Sequence, residues 1–326
     1  MKAIQFSNYG GPEVLETVDV ERPKPEGREV LIAVHRVGVN YADTARRRGQ
    51  YVVPTPLPFI PGAELAGVVQ EVGPEVTSVK PGSRVVTMTG SGAYAEYVTA
   101  DERGLIPLGD TLDFSTAAAL PLQGLSAYHV LITMGQMAEG ETVLVHAAAG
   151  GVGSIAVQLA KLHGAGKVIA TASTEEKLAD AKRLGADVGI NYTQEGWEKE
   201  VLEATDGKGV DVAMEMAGGD IFEKTLRVLG RFGRLVIFGS ASGEQSKLNA
   251  GRLMEKNQSV IGFFLPQIMR RQALMQASLE TLFTHLQKGE LELQIGHTFP
   301  LEEAARVHEL MEGRKTRGKI ILEVQS

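Results

Sequence analysis

The sequence predicts an α/β fold in two parts, a β-rich lobe and a doubly wound parallel sheet. Three observations predict it. A length of 326 residues exceeds one average core and favours two domains. The first 120 or so residues are dense in Pro and Gly and carry short β-rich runs. From Glu141 onward, apolar runs alternate with amphipathic helical stretches, the pattern of a parallel sheet covered on both faces.

In the first lobe the strand-like runs fall at residues 29–34, 67–72, 84–87 and 94–98. The parallel sheet is predicted from the apolar runs 142–146, 167–171, 188–191, 211–215, 234–238 and 259–263, most of them preceded by a helix-like segment. After Pro266 an amphipathic stretch runs to about Leu286, followed by a second at 301–311 and a strand-like 318–324. That last strand has no place in the parallel sheet and is assigned to the first lobe. Two lobes leave room for a cleft.

Composition narrows the function classes. Hydrophobic residues make up 43% and charged residues 22%, which describes an ordinary globular protein. A net charge of -7 disfavours a general attraction to nucleic acid or anionic membrane. No apolar run approaches the roughly 18 to 20 residues that span a bilayer, and residues 1–6 lack a signal-peptide core, so a cytoplasmic location is expected. The chain has no cysteine, which excludes disulfides and thiolate chemistry and removes the commonest zinc ligand. Its 7 histidines are scattered without a ligand-like spacing.

The strongest motif is Glu141-Thr-Val-Leu-Val-His-Ala-Ala-Ala-Gly150-Gly151-Val152-Gly153, running into the helix-like 154–163. A buried strand enters a glycine-rich turn whose bare backbone lets a pyrophosphate reach the N–H groups of a helix N-terminus. Ala148 stands where the fingerprint usually has its first glycine. About twenty residues beyond such a loop an NAD site carries a carboxylate for the ribose hydroxyls. Here the second strand ends Thr171-Ala172-Ser173, with Lys177 one helical turn on and Tyr192 at the end of the third strand. A strand end without a carboxylate, with a lysine one turn on, favours NADPH, with its 2′-phosphate. The competing local reading makes Ser173 and Glu176 a capping box and Lys177 a solvated helix residue.

These residues carry a family resemblance. The run Gly140-Glu141-x-x-Leu144-x-x-x-Ala148-Ala149-Gly150-Gly151-x-Gly153-x-x-x-x-Gln158-x-x-Lys161 resembles the signature of quinone oxidoreductases and zeta-crystallins, the zinc-free branch of the medium-chain dehydrogenase/reductase superfamily. The run Gly62-x-Glu64-x-x-Gly67-x-x-x-x-x-Gly73-x-x-Val76 resembles the superfamily's first-lobe signature, and Pro121-Leu122-Gln123-Gly124-Leu125-Ser126-Ala127-Tyr128 extends the likeness. The resemblance implies a GroES-like β-rich catalytic domain from residues 1–122 and 266–326, with a Rossmann NADPH-binding domain at 123–265. Zinc-dependent relatives place His beside the first-lobe glutamate, where this chain has Ala63. Asn40 and Leu122 stand near two of their other ligand positions.

What remains is hydride delivery from NADPH to an acceptor that is already electron-poor, a quinone or an α,β-unsaturated carbonyl. The protein then supplies orientation and a hydrogen-bond donor for the developing oxyanion. The resemblance implies Asn40 and Asp43 at the nicotinamide end and Tyr51 toward the substrate, the last as a proton donor. Their local readings are a loop-capping pair and an aromatic lid. Arg46-Arg47-Arg48 reads as a solvated face. The resemblance further implies Ser126 at the nicotinamide ribose and Phe238-Gly239-Ser240 and Phe263-Phe264-Leu265 around the nicotinamide, the latter as a crossing between lobes. The bland reading of Phe263 is core packing. Ala149, Gly150, Gly151, Val152 and Gly153 would hold the pyrophosphate, and Arg317 would add charge at the 2′-phosphate.

The family further implies a homodimer through the edge strand 259–263. Two other functions fit the same motifs: a 2-enoyl-thioester reductase, whose relatives usually depart from the Ala-Ala-Gly-Gly-x-Gly loop, and an NADPH-binding sensor or RNA-binding protein like zeta-crystallin. The acidic balance and the lack of an aromatic-rich RNA motif count against RNA.

Overall fold

The computed structural model describes residues 1–244 and 246–325. In chain order the elements are β1 (Lys2–Gln5), β2 (Glu16–Asp19), β3 (Glu29–Val39), α1 (Tyr41–Arg47), β4 (Glu64–Val72), β5 (Arg84–Met88), β6 (Tyr97–Asp101), β7 (Leu105–Pro107), α2 (Phe114–Ala119) and α3 (Pro121–Tyr128). There follow β8 (Thr142–Val145), α4 (Gly151–Leu162), β9 (Lys167–Ala172), α5 (Glu175–Arg183), β10 (Val188–Asn191), α6 (Trp197–Ala204), β11 (Val210–Glu215), α7 (Gly219–Val228), β12 (Leu229–Ile237) and β13 (Ser259–Gly262). The chain closes with α8 (Leu265–Met269), α9 (Gln272–Gln287), β14 (Ile295–Pro300), α10 (Ala304–Glu312) and β15 (Lys319–Glu323). Among the described residues no helix is long and apolar enough to cross a membrane.

Two compact units form. The first joins Met1–Leu122 to the segment from Leu293 onward, and the second is Gln123–Glu292. The expected return to the first lobe at residue 266 is therefore too early. Packing explains the difference: α9 buries Leu279 and Leu282, and its Ser278 Oγ meets His129 Nε2 at 3.1 Å. Glu292 is tied by both its backbone groups to the Gln158 side chain of α4, at 2.8 and 2.9 Å. The segment 263–265 is likewise no crossing, because Phe264 caps α8 within the second unit.

In the first unit, antiparallel β3 carries β4 and β6, and β4 leads on to β5 and β7. Strand β15 pairs antiparallel with β3, and β14 lies parallel to β15. The alternating apolar side chains Val30, Ile32 and Val34 of β3 join Leu65, Val69, Val85, Ile320 and Leu322 in one core. Gly67 is required at the β3–β4 contact, where a Cβ would stand 2.1 Å from the Ala33 carbonyl oxygen. Tyr94, expected in a strand, precedes β6 and is fully buried.

In the second unit the described residues form a six-stranded parallel sheet in the order β10-β9-β8-β11-β12-β13. Its central strands bury both faces: Val143, Leu144, Val168, Ile169, Val212, Ala213, Leu235 and Val236 are all fully buried. That two-sided burial is why they read as unbroken apolar runs. The order reverses between β8 and β11, and ligands of such sheets lie at that point, beyond the carboxyl ends of the strands.

Candidate active site

The phosphate-type loop follows β8. Ala147 adopts φ 49°, its carbonyl accepts from Gly150 N at 2.8 Å, and α4 starts immediately after. Gly150 provides no side-chain cap, so the first amides of the helix are presented for an anion. Gly153 is bare by necessity, because a Cβ there would lie 2.3 Å from the backbone oxygen of Ala147. A Cβ on Gly151 would meet the end of the Gln123 side chain, 1.9 Å from Oε1. Ala148 fits the first fingerprint position because it is fully buried and its N–H bonds to Thr171 O at 3.0 Å. Ala149 is buried and Val152 half-buried at the same turn.

Behind the loop, His146 is buried between the hydroxyls of Thr171 and Thr225, each 2.8 Å from a ring nitrogen. Across the topological switch, buried Glu215 ends β11 and accepts from Ala217 N at 2.7 Å and Gly218 N at 3.0 Å, shaping the next turn. Burial pushes its carboxyl up, and those two amides oppose the shift.

Ser173 follows the end of β9, Tyr192 follows the end of β10, and these two strands are parallel neighbours. Tyr192 N donates to Ala172 O at 3.2 Å, and Lys177 lies in the first turn of α5. The cap of α5 is Thr174, whose Oγ1 accepts from Lys177 N at 3.3 Å, and not Ser173 with Glu176 as in the competing local reading. Thr174 has the extended backbone of a cap immediately before the helix, with φ -144° and ψ 153°. Ser173 is half-buried beside it. Ser126 is buried in α3, Phe238-Gly239-Ser240 follows β12 against Met216, and Leu265 is buried in α8, with half-buried Phe263 and Phe264 before it. Arg317 is exposed in the loop before β15 and belongs to the first unit.

Asn40, Asp43 and Tyr51 also belong to the first unit. Asn40 caps α1, and its backbone N–H donates to Asp43 Oδ2 at 2.9 Å. The Asn40 amide nitrogen donates to Gly38 O at 3.1 Å and Glu64 Oε1 at 2.9 Å, while its oxygen accepts from Lys319 Nζ at 2.8 Å. Both N–H bonds of that amide are thus committed to protein acceptors, which makes Asn40 a node of the scaffold. Lys319 forms a fully buried ion pair with Glu64, whose other oxygen accepts from Leu122 N at 2.8 Å. Burial pulls the Lys319 ammonium down from the ordinary lysine range, and Glu64 opposes that.

Asp43 is also buried. Its Oδ1 accepts from Gly62 N at 3.3 Å, and Tyr94 Oη lies 3.4 Å from Oδ2 and 3.2 Å from His308 Nε2. Burial pushes the Asp43 carboxyl up to about 6, against those amide bonds. The expected solvated face at 46–48 is corrected by two of its members. Arg47 is fully buried and ion-paired with Glu312, because α10 packs over α1 there. Arg46 lies over the half-buried Tyr51 ring.

Several of these residues escaped the sequence reading. Gln123 and Glu64 stood inside quoted motifs without an assigned role, and Glu215 is signalled by a carboxylate closing an apolar run. Lys319, a charge heading the apolar Ile-Ile-Leu of β15, is the corresponding sign of a buried partner.

A parallel sheet with a glycine turn at its switch point, joined to a β-rich unit, defines a two-domain, dinucleotide-dependent oxidoreductase. Residues 151–281 match the zinc-binding dehydrogenase family and residues 26–110 the alcohol dehydrogenase GroES-like domain. The chain is 40% identical over 323 residues to a quinone oxidoreductase of Pseudomonas aeruginosa, covering 98% of this chain and 99% of that one. It is 37% identical over 330 residues to quinone oxidoreductase 1 of Escherichia coli, covering 98% of each. The solved Escherichia coli quinone oxidoreductase complexed with NADPH has a TM-score of 0.94 at 35% identity, with 99% of this chain and 100% of that one covered. The Pseudomonas syringae quinone oxidoreductase has a TM-score of 0.93 at 41% identity, with 99% of each covered. The chain belongs to the quinone oxidoreductase family, the zeta-crystallin-like branch of the medium-chain dehydrogenase/reductases, and is an enzyme of that family.

Proposed function

We propose that this enzyme uses NADPH to reduce quinones and α,β-unsaturated carbonyls, without zinc. The observation that carries the reading is the bare turn at Gly150-Gly151-Val152-Gly153, together with a β9 end, Ala172-Ser173, that has no carboxylate and is followed by Lys177 in the first turn of α5. The amides of that turn bind the pyrophosphate, and Lys177 with Ser173 and Tyr192 receives the 2′-phosphate. Ser126, Phe238, Gly239, Ser240, Phe264 and Leu265 complete the cofactor surface, and Arg317 adds positive charge. NADPH, when bound, supplies a hydride to the acceptor. Tyr51 donates a proton to the acceptor's oxygen and is reprotonated by water, while Asn40 and Asp43 hold the start of α1 that carries the site. Quinone, NADPH and one proton thus yield hydroquinone and NADP⁺.

The donor set supports independence from zinc. Glu64 is engaged by Lys319, Asn40 and Leu122, its neighbour is Ala63, and the chain has no cysteine. A buried ammonium already balances Glu64. A quinone or enone needs no Lewis acid, because its own conjugation spreads the incoming charge.

Stopped-flow oxidation of NADPH by 1,4-benzoquinone and by a short alkenal tests the proposal, with turnover of both expected. No turnover of either overturns it, and preferential turnover of a 2-enoyl-CoA would reassign the enzyme to thioester substrates. A cytoplasmic homodimer, pairing through the edge strand β13, completes the reading. A monomer by light scattering removes the dimer.

A further inference from the structure

Arg46 is the last residue but one of α1, and its guanidinium carbon lies 4.1 Å from the centre of the Tyr51 ring and 5.3 Å from that of Phe59. Its Nη1 also reaches Thr55 Oγ1 at 3.4 Å. Phe59 is a fixed wall: its backbone exchanges two hydrogen bonds with Phe6, at 2.9 and 3.0 Å, and the two rings lie 5.5 Å apart. The guanidinium is therefore within reach of both a buried ring and the half-buried tyrosine.

We propose that Arg46 is a positioning residue for the reduction, holding the Tyr51 phenol face-on and stabilising the phenolate that forms as its proton passes to the acceptor oxygen. The inference rests on the reading of Tyr51 as the proton donor. A cation over an aromatic face is attracted by the ring quadrupole, and the attraction grows when the ring itself becomes anionic. The guanidinium suits this role better than an ammonium because it is planar, stacks on rings and stays charged at any working pH. Burial pushes the Tyr51 phenol up, and the charge and hydrogen bond of Arg46 oppose that rise. Arginine only donates, so its hydrogen bond uses a lone pair of the phenol oxygen and not the phenol's proton. In the step itself, the hydride and its electron pair reduce the acceptor, the O–H bond of Tyr51 breaks, and a new O–H bond forms on the product. Water then returns a proton to Tyr51.

The test compares Arg46→Met, Arg46→Lys, Tyr51→Phe and the double variant Arg46→Met/Tyr51→Phe. Single-turnover rates with 1,4-benzoquinone are measured across pH, alongside NADPH affinity and thermal midpoints. Tyr51→Phe is expected to slow the chemical step by about 100-fold, as loss of a general acid does. Arg46→Met is expected to slow it by about tenfold with NADPH affinity within about twofold, and Arg46→Lys by less. In the Tyr51→Phe background, where the ring remains but no proton can be delivered, the effect of Arg46→Met should fall below about twofold. An equal loss in both backgrounds would make Arg46 a mere support of the loop and overturn the inference while leaving Tyr51 in its role. An undiminished rate in Tyr51→Phe would overturn the donor reading and the inference together.

Discussion

His146 donates from Nε2 to Thr225 Oγ1 at 2.8 Å, because the Thr225 hydroxyl already gives its proton to Ile221 O at 2.7 Å. The other ring nitrogen then accepts from Thr171 Oγ1 at 2.8 Å, and the neutral imidazole is built into the sheet. Burial lowers the His146 pKa to about 4. With an unfolded value near 6.5, its contribution to stability is present above about pH 6.5 and is lost as pH falls through about 4. The expected loss across that window is on the order of 3 kcal/mol. Trp197, the single tryptophan, sits edge-on to the imidazole at 5.4 Å and reports unfolding of this unit. Urea titrations followed by its fluorescence at pH 7 and pH 4.5 should show a smaller pH effect in His146→Gln than in the unsubstituted protein. Identical slopes would refute the assignment.

Lys319→Met leaves Glu64 charged and buried. Removing one partner of a buried pair costs about 3–5 kcal/mol, whereas replacing both members is often nearly neutral. Lys319→Met is therefore expected to lower the unfolding free energy by that amount, and Lys319→Met/Glu64→Gln to recover more than half of it. Chemical denaturation measures both, and a double variant as unstable as the single one would contradict the pairing.

Gly153→Ala and Gly151→Ala should differ. The Cβ at 153 meets backbone, Ala147 O at 2.3 Å and Ala148 Cα at 2.8 Å, so the phosphate loop itself must shift. At 151 the obstacle is the Gln123 side chain, which can move. NADPH affinity, read by nucleotide fluorescence, should fall more than about tenfold in Gly153→Ala and less in Gly151→Ala. Adding Gln123→Ala should restore binding to the Gly151→Ala protein, and no restoration would mean that the clash is not the cause.

Lys177→Ala should weaken NADPH by about tenfold or more and leave NADH within about twofold, since a charge meeting a phosphate is worth roughly 1.5–3 kcal/mol. Isothermal titration with both cofactors decides. Equal losses for the two would move the 2′-phosphate contact elsewhere.

The parallel strands were legible because two-sided burial writes itself as continuous apolar runs, and the glycine turn because its spacing is local. What was not legible depended on partners far along the chain. Strand β14 was not anticipated, since Ile295-Gly-His-Thr-Phe-Pro300 is a partly exposed edge with no period-two pattern. The amphipathic stretch after Pro266 is divided into α8 and α9 and stays with the second unit, held by contacts to His129 and Gln158 that no local signal announces. In the site, Asn40 and Asp43 stood out by resemblance, but the saturation of the Asn40 amide by Glu64 and Lys319 is a long-range fact. Three successive arginines looked solvated, yet helix geometry sends Arg46 onto Tyr51 and Arg47 under α10.

The ion pair between Glu64 and Lys319 also has a consequence for the order of synthesis. The glutamate leaves the ribosome 255 residues before its counter-charge on β15. Gln123–Glu292 emerges whole in between and can collapse on its own strands while β3 still lacks β15 beside it. The first unit must therefore wait, with one acidic side chain still hydrated, until β15 has emerged to pair with β3.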